Sequence, residues 1–238
     1  MATKAHTMRR FDDELSELKA KVLSLGGLVE KAIAGATQAL MTGDSALAER
    51  TIERDAAVNA LEVQCDELIR RILVLRQPAA RDLRFILSSV KVVTDLERMG
   101  DLAVGISEGA LRLQGTGIHP LGALSNMSEA VQSQVQRALD ALSRGDIDLA
   151  IQVIEHDASV DEMYHSLYRE ILTYMLENPP GISGYIILSN ISKNLERIGD
   201  HATNICEMVI YMIRGHDTRH VDHEAAAALL KEEEARQP

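Results

Sequence analysis

Apolar side chains recur along the chain at steps of three and four, and no stretch shows the strict alternation of a half-buried strand. Between residues 9 and 42, Leu15, Leu18, Val22, Leu25, Val29, Ile33, Ala36 and Leu40 fall on one helix face. The Gly26-Gly27 pair inside this run predicts a close approach to a neighbouring helix. Gly43-Asp44 supplies a stop and a fresh N-cap. A second helix is predicted to about Arg76, ending at Gln77-Pro78 because proline disfavours helix in the residue before it. A third covers about 80–113, and 1.5 Å per residue makes it about 50 Å long.

The run Gln114 to Pro120, with two glycines, reads as a join. After it the pattern starts again: a helix near 121–143, a stop and cap at Gly145-Asp146, a helix near 147–177, a break at Asn178-Pro179-Pro180-Gly181, and a helix over about 183–214. The tail, 215–238, ends in AAAALLKEEEARQP and reads as a short helix or a frayed end. The expected fold is all-α, with three-helix units over 9–113 and 121–214.

These units are copies of one another. TDLERMGDLAVGISE at 94–108 recurs as KNLERIGDHATNICE at 193–207, and Leu96, Glu97, Arg98, Gly100, Asp101, Ala103, Ile106 and Glu108 are identical 99 residues later. GDSALAERTIERDAAV at 43–58 recurs as GDIDLAIQVIEHDASV at an offset of 102, so one connection in the second unit is three residues shorter. A repeat of this kind predicts two homologous bundles in tandem, related by a pseudo-two-fold.

Composition narrows the function. Aromatic residues make up only 3% and Trp is absent, which suits packed helices. A net charge of −11 without a Lys/Arg cluster argues against a nucleic-acid surface. Cys65 and Cys206 lie in different halves without metal-ligand spacing and read as reduced cytosolic thiols. No uncharged apolar run reaches the length of a membrane span, and the N-terminus lacks the apolar core of a signal peptide.

The duplicated motif carries the candidate chemistry. On a helical wheel Leu195, Ile198, Ala202, Ile205, Val209 and Met212 form one stripe, and Glu196, Asp200, Asn204 and Glu207 form another roughly opposite it. The first copy sets Leu96, Met99, Ala103 and Ile106 against Glu97, Asp101 and Glu108. A lone Glu-x-x-x-Asp is ordinarily a solvated acidic face, and its two carboxylates repel mildly. Its repetition favours a second reading, as do Gly100 and Gly199, each costing about 1 kcal/mol in a helix interior. Upstream, Asp157 and Asp161 share a helix side with Ile154, Tyr164 and Tyr168, and Asp55 and Asn59 hold the matching positions in the first half. Adjacent helices can bring Asp157/Asp161 to Glu196/Asp200 and Asp55/Asn59 to Glu97/Asp101, oxygen-rich sets that suit a hard cation or a multinuclear centre. Pairing of the aspartates with Arg197 or Arg169 stands beside that as a purely structural reading.

The paired Leu-Glu-Arg-Ile/Met-Gly-Asp motifs, the Gln-Pro-Ala-Ala-Arg-Asp-Leu-Arg run at 77–84 and the duplicated halves resemble the PhoU family of phosphate-transport accessory regulators. The likeness covers about residues 10–214 and implies two three-helix bundles in tandem. It also implies a cytoplasmic, non-enzymatic negative regulator of the phosphate-starvation response. The expected partners are the ATPase of the phosphate ABC transporter, its phosphate-sensing histidine kinase and a second copy in a homodimer. Some members hold iron or zinc clusters at Glu/Asp-x-x-x-Asp pairs, which maps ligands onto Glu97/Asp101 and Glu196/Asp200, with Asp157/Asp161 as a further pair; other divalent cations stay open. In the first half the neutral Asn59 stands where Asp161 does, so that site is expected to bind more weakly.

Two other classes compete. A di-iron oxidase bundle would use Glu-x-x-His from two helices; Glu162 and His165 fit once, but their counterparts Ala60 and Val63 do not. A metal-free interaction scaffold is the other. No nucleophile elbow or glycine-rich phosphate loop supports a hydrolase.

Overall fold

The computed structural model describes residues 2–215 and, there, consists of six long helices. They are α1 (Ala2–Thr42), α2 (Ser45–Leu75), α3 (Ala80–Leu113), α4 (Gly122–Arg144), α5 (Ile147–Glu177) and α6 (Ile182–Arg214), with a single 3-10 turn, Pro179–Gly181, leading into α6. No strand occurs among the described residues, so the all-α expectation holds. The tail expected to form a short helix or a frayed end lies outside the described residues from His216 onward.

The turns form where the sequence supplies their chemistry. Gly43 and Gly145 both adopt φ of 66°, the left-handed conformation that ends a helix without a Cβ clash. The next residue then caps the following helix: Asp44 accepts from the Leu47 amide at 2.9 Å and Asp146 from the Leu149 amide at 3.0 Å. Each cap contributes about 1 kcal/mol. The join is pinned back on the first half, where Gln114 Nε2 donates to the Gly43 carbonyl at 2.9 Å and Ser45 Oγ to Gln114 Oε1 at 2.7 Å.

Helices α1–α3 and α4–α6 form the two bundles, and α3 packs along α6 between them. Asp95 of α3 meets His201 and Asn204 of α6, whereas Gly109, further along α3, sits against Ile191, nearer the start of α6. The two central helices therefore run antiparallel, as a pseudo-two-fold between the halves requires. Gly26 of α1 lies so close to Leu139 of α4 that an added Cβ would fall 2.6 Å from its Cδ2, the close approach expected there.

One hydrophobic core runs through both bundles, and the duplicated stripes build its centre. Leu96, Met99, Ala103 and Ile106 are fully buried on α3, and Leu195, Ile198, Ala202 and Ile205 on α6. Each large side chain among them contributes about 1.5–3 kcal/mol relative to exposure. Both cysteines are buried and unbridged, and burial pushes their thiols up to about 11 for Cys65 and about 12 for Cys206. No helix among the described residues is long and apolar enough to cross a membrane.

Candidate metal centre

The apolar stripe of α6 turns Glu196 and Asp200 outward toward α5, one helical turn apart. There they meet Asp161, and one oxygen from each of the three carboxylates lies within 4.8 Å of the others. This is the only such group of acids, histidines or cysteines among the described residues. The predicted juxtaposition of α5 and α6 carboxylates is therefore present.

Asp157, one turn earlier on α5, is held to the side. Its Oδ1 accepts from Nε2 of Gln134 on α4 at 2.8 Å, rather than from Arg197 or Arg169. Gln134 is only 1% exposed. It reaches Asp157 across Gly199, where an added Cβ would lie 3.1 Å from Gln134 Oε1 and 3.5 Å from Asp157 Oδ1. Gly100 does the same in the first half, with Asp55 Oδ1 at 3.3 Å and Val58 Cγ1 at 3.2 Å from the place of its missing Cβ. The glycine of the duplicated motif is thus the gap through which the aspartate of the neighbouring helix approaches.

Electrostatics mark the second-half cluster as short of positive charge. Burial pushes the Asp200 carboxyl up to about 6, with Glu196, Asp157 and Asp161 adding repulsion and Lys193 opposing them. Asp200 keeps solvent contact by area, so crowding of like charges contributes beside desolvation. Asp157 is also raised, by burial first, while the Gln134 hydrogen bond pulls the other way. Lys193, rather than Arg197 or Arg169, is the cation beside these acids. Lys193 Nζ lies 2.6 Å from both Glu196 oxygens. The Lys-x-x-Glu spacing on one helix carried that signal.

The first-half set is looser. Asn59 Nδ2 donates to Asp55 Oδ2 at 2.8 Å, which holds the two side chains together one turn apart on α2. Glu97 is raised by burial, then by Asp101, Glu62 and Asp55, with Arg98 opposing. Asp55 is raised by burial and by Asp101. Glu62 was missed, although it lies seven residues after Asp55 on the same face of α2. Comparison of the repeats hid it, because Tyr164 occupies its place in the second half.

One other expectation changes, and one competing reading loses its geometry. Asn204 leaves the acidic stripe and donates to Asp95 of α3 at 3.3 Å, because α6 is flanked by α3 on that side. Glu162 and His165 face solvent, with the His165 ring 5.5 Å from that of Tyr164, so they cannot form the bundle-interior ligands of a di-iron oxidase. A cleft of about 460 Å³ between α1, α3 and α6 is lined by Lys19, Arg81, Phe85 and Met212 and contains none of the clustered acids.

The donor set fits a hard cation. It consists of carboxylate oxygens on two rigid helices, close enough to share one ion and repelling one another without it. Asp161, Glu196 and Asp200 would hold it, with Asp157 beside them. In the first half Asp55, Glu97 and Asp101 do not close to the same range, and Glu62 adjoins them.

Comparison with known proteins places this architecture. The family model described as the PhoU domain matches twice, at residues 22–110 and 124–209. The phosphate-specific transport system accessory protein PhoU homolog of Pseudomonas aeruginosa is 44% identical over 218 residues, covering 91% of this chain and 90% of that protein. The phosphate-specific transport system accessory protein PhoU of Escherichia coli K12 is 36% identical over 226 residues, 94% of each chain. The crystal structure of PhoU from Pseudomonas aeruginosa superposes with a TM-score of 0.84 at 45% identity, covering 87% of this chain and all of that one. The phosphate transport system regulatory protein PhoU from Streptococcus pneumoniae gives 0.80 at 32% identity, covering 87% of this chain and 98% of its own. With both halves matched and the duplicated helices superposing, the chain belongs to the PhoU family.

Proposed function

We propose that this protein is a cytoplasmic accessory regulator of phosphate transport that restrains uptake and the phosphate-starvation response when phosphate is plentiful. Family membership over nearly the whole chain carries the reading, since relatives covering 90% or more of their own length are named accessory proteins of the phosphate-specific transport system. The protein acts by contact: its partners are the ATPase of the phosphate ABC transporter and the phosphate-sensing histidine kinase, and it works as a homodimer without catalysing a reaction. An acidic surface with a net charge of −11 suits protein partners and repels nucleic acid.

Iron, zinc or another divalent cation would bind at Asp161, Glu196 and Asp200, and more weakly at Asp55, Glu97 and Asp101. An ion held there would supply positive charge between carboxylates of α5 and α6. The residues themselves do the positioning: Gly199 admits Gln134, Gln134 fixes Asp157, and the buried stripe of α6 aims Glu196 and Asp200 outward. Deletion of the gene should derepress phosphate-starvation genes in phosphate-replete medium, and unchanged transcript levels would refute the regulatory role. Pull-downs from phosphate-replete and starved cells test the two partners directly.

A further inference from the structure

Lys193 pairs with Glu196 on its own helix and at the same time reaches across to α5. Its Nζ lies 2.6 Å from both oxygens of Glu196, so the ammonium straddles the carboxylate. The same ammonium stands 5.2 Å from the ring centroid of Tyr164, across the gap between α6 and α5. The lysine side chain is 49% exposed and that of Glu196 13%, so the charge is delivered from the solvent side onto a largely enclosed acid. The first half has no such device, because Thr94 stands at the position of Lys193 and Glu62 at that of Tyr164. Thr94 turns its hydroxyl back to the Val90 carbonyl of its own helix.

We propose that Lys193 is a tethered counter-cation that holds the acidic face together when metal is absent and must leave Glu196 before a divalent ion can bind there. This rests on the metal reading of Asp161, Glu196 and Asp200 given above. An ion coordinated by Glu196 needs at least one of the two oxygens that the ammonium engages. A divalent charge interacts more strongly with three carboxylates than a single ammonium does. The lysine stem is flexible and already half in solvent, so its release costs little beyond the ion pair and the contact with the Tyr164 face. Lys193 therefore sets the affinity of the second-half site, keeping it reversible, and the exchange is coupled to the surroundings of Tyr164.

The test is titration of the full-length, chelator-stripped protein with Mn²⁺, with free ion counted by electron paramagnetic resonance. Lys193→Met removes the charge at similar length, Lys193→Gln is a second neutral variant should the first not fold, and Lys193→Arg keeps the charge. The neutral variants should bind Mn²⁺ roughly tenfold more tightly than wild type, and Lys193→Arg should stay near wild type. Because the chain has no Trp, tyrosine emission is visible. It should change when Mn²⁺ binds wild type, with the change lost in Tyr164→Phe. Equal or weaker binding by the neutral variants, with wild type still binding, overturns the role of Lys193 alone. Absence of binding in every variant, Lys193→Met included, overturns the metal reading and this inference with it.

Discussion

His201 Nδ1 lies 2.8 Å from Asp95 Oδ1, joining α6 to α3 across the boundary between the two bundles. His201 is 7% exposed, and Asn204 donates to the same Asp95 oxygen at 3.3 Å. The repeat places Asn194 and Leu102 at the corresponding positions, so this polar link exists once in an otherwise duplicated interface.

Breaking that link leaves a buried donor without its partner, which costs about 1–3 kcal/mol. Asp95→Ala should therefore lower the melting temperature by several degrees, read by circular dichroism at 222 nm. A melting temperature equal to that of wild type would show that the contact contributes nothing.

Metal content should separate the two halves. Glu196→Gln with Asp200→Asn is expected to remove most bound metal from protein purified without chelator, and Glu97→Gln with Asp101→Asn to remove less. Both double variants should keep their helicity, because these side chains lie off the buried stripes. Equal metal in wild type and both variants by elemental analysis, or none in any of them, would make the acidic face a solvated or partner-binding surface.

Acid should stabilise the metal-free second-half cluster. Asp200 has its carboxyl raised to about 6, chiefly by burial and then by Glu196, Asp157 and Asp161. A group raised in the folded state binds its proton more tightly there than in the unfolded chain. Its contribution is present in full below the ordinary carboxylate range and is lost as pH rises from about 4 through about 6. Asp200→Asn should then gain stability relative to wild type at pH 7 and lose that advantage at pH 4.5. Urea melts at the two pH values check this, and a pH-independent difference would rule it out. Protons compete for the same oxygens, so metal binding should weaken below pH 6.

Gly199 offers a packing test. An added methyl gains about 1 kcal/mol of helix propensity, but here it would sit 3.1 Å from the buried Gln134 Oε1. Overpacking costs about 1–3 kcal/mol, so Gly199→Ala should be net destabilising. Gly27→Ala meets nothing within 4 Å and should be stabilising by up to about 1 kcal/mol. If denaturant melts show that both substitutions stabilise, Gly199 is not holding space for Gln134.

Which residues were readable in advance follows from the range over which each effect acts. Leu96, Met99, Leu195 and Ile198 were visible as core because a 3.6-residue period writes burial directly into local spacing. Asp44 and Asp146 were visible as caps for the same reason, since their partners lie three residues on. Glu196 and Asp200 could be placed together on the outer face of one helix. Lys193 is equally local, three residues before Glu196, but its position in the repeat is held by Thr94, so the duplication does not single it out. Glu62 is not marked by the duplication either, because Tyr164 holds its place in the second half.

By itself the sequence determined six helices in two copies and a carboxylate pair off each buried stripe, because periodicity, caps and duplication are all properties of neighbouring or repeated residues. Only the tertiary structure decided which polar groups meet. Gln134 comes from α4 to hold Asp157 beside the tight cluster, Asn204 turns to α3 rather than to the acids, and Asn59 donates to Asp55. A helical wheel treats each helix as an isolated cylinder. The rotation and spacing of adjacent cylinders come from how their side chains pack, and shifts of a few ångströms there separate a shared cation site from a set of solvated carboxylates.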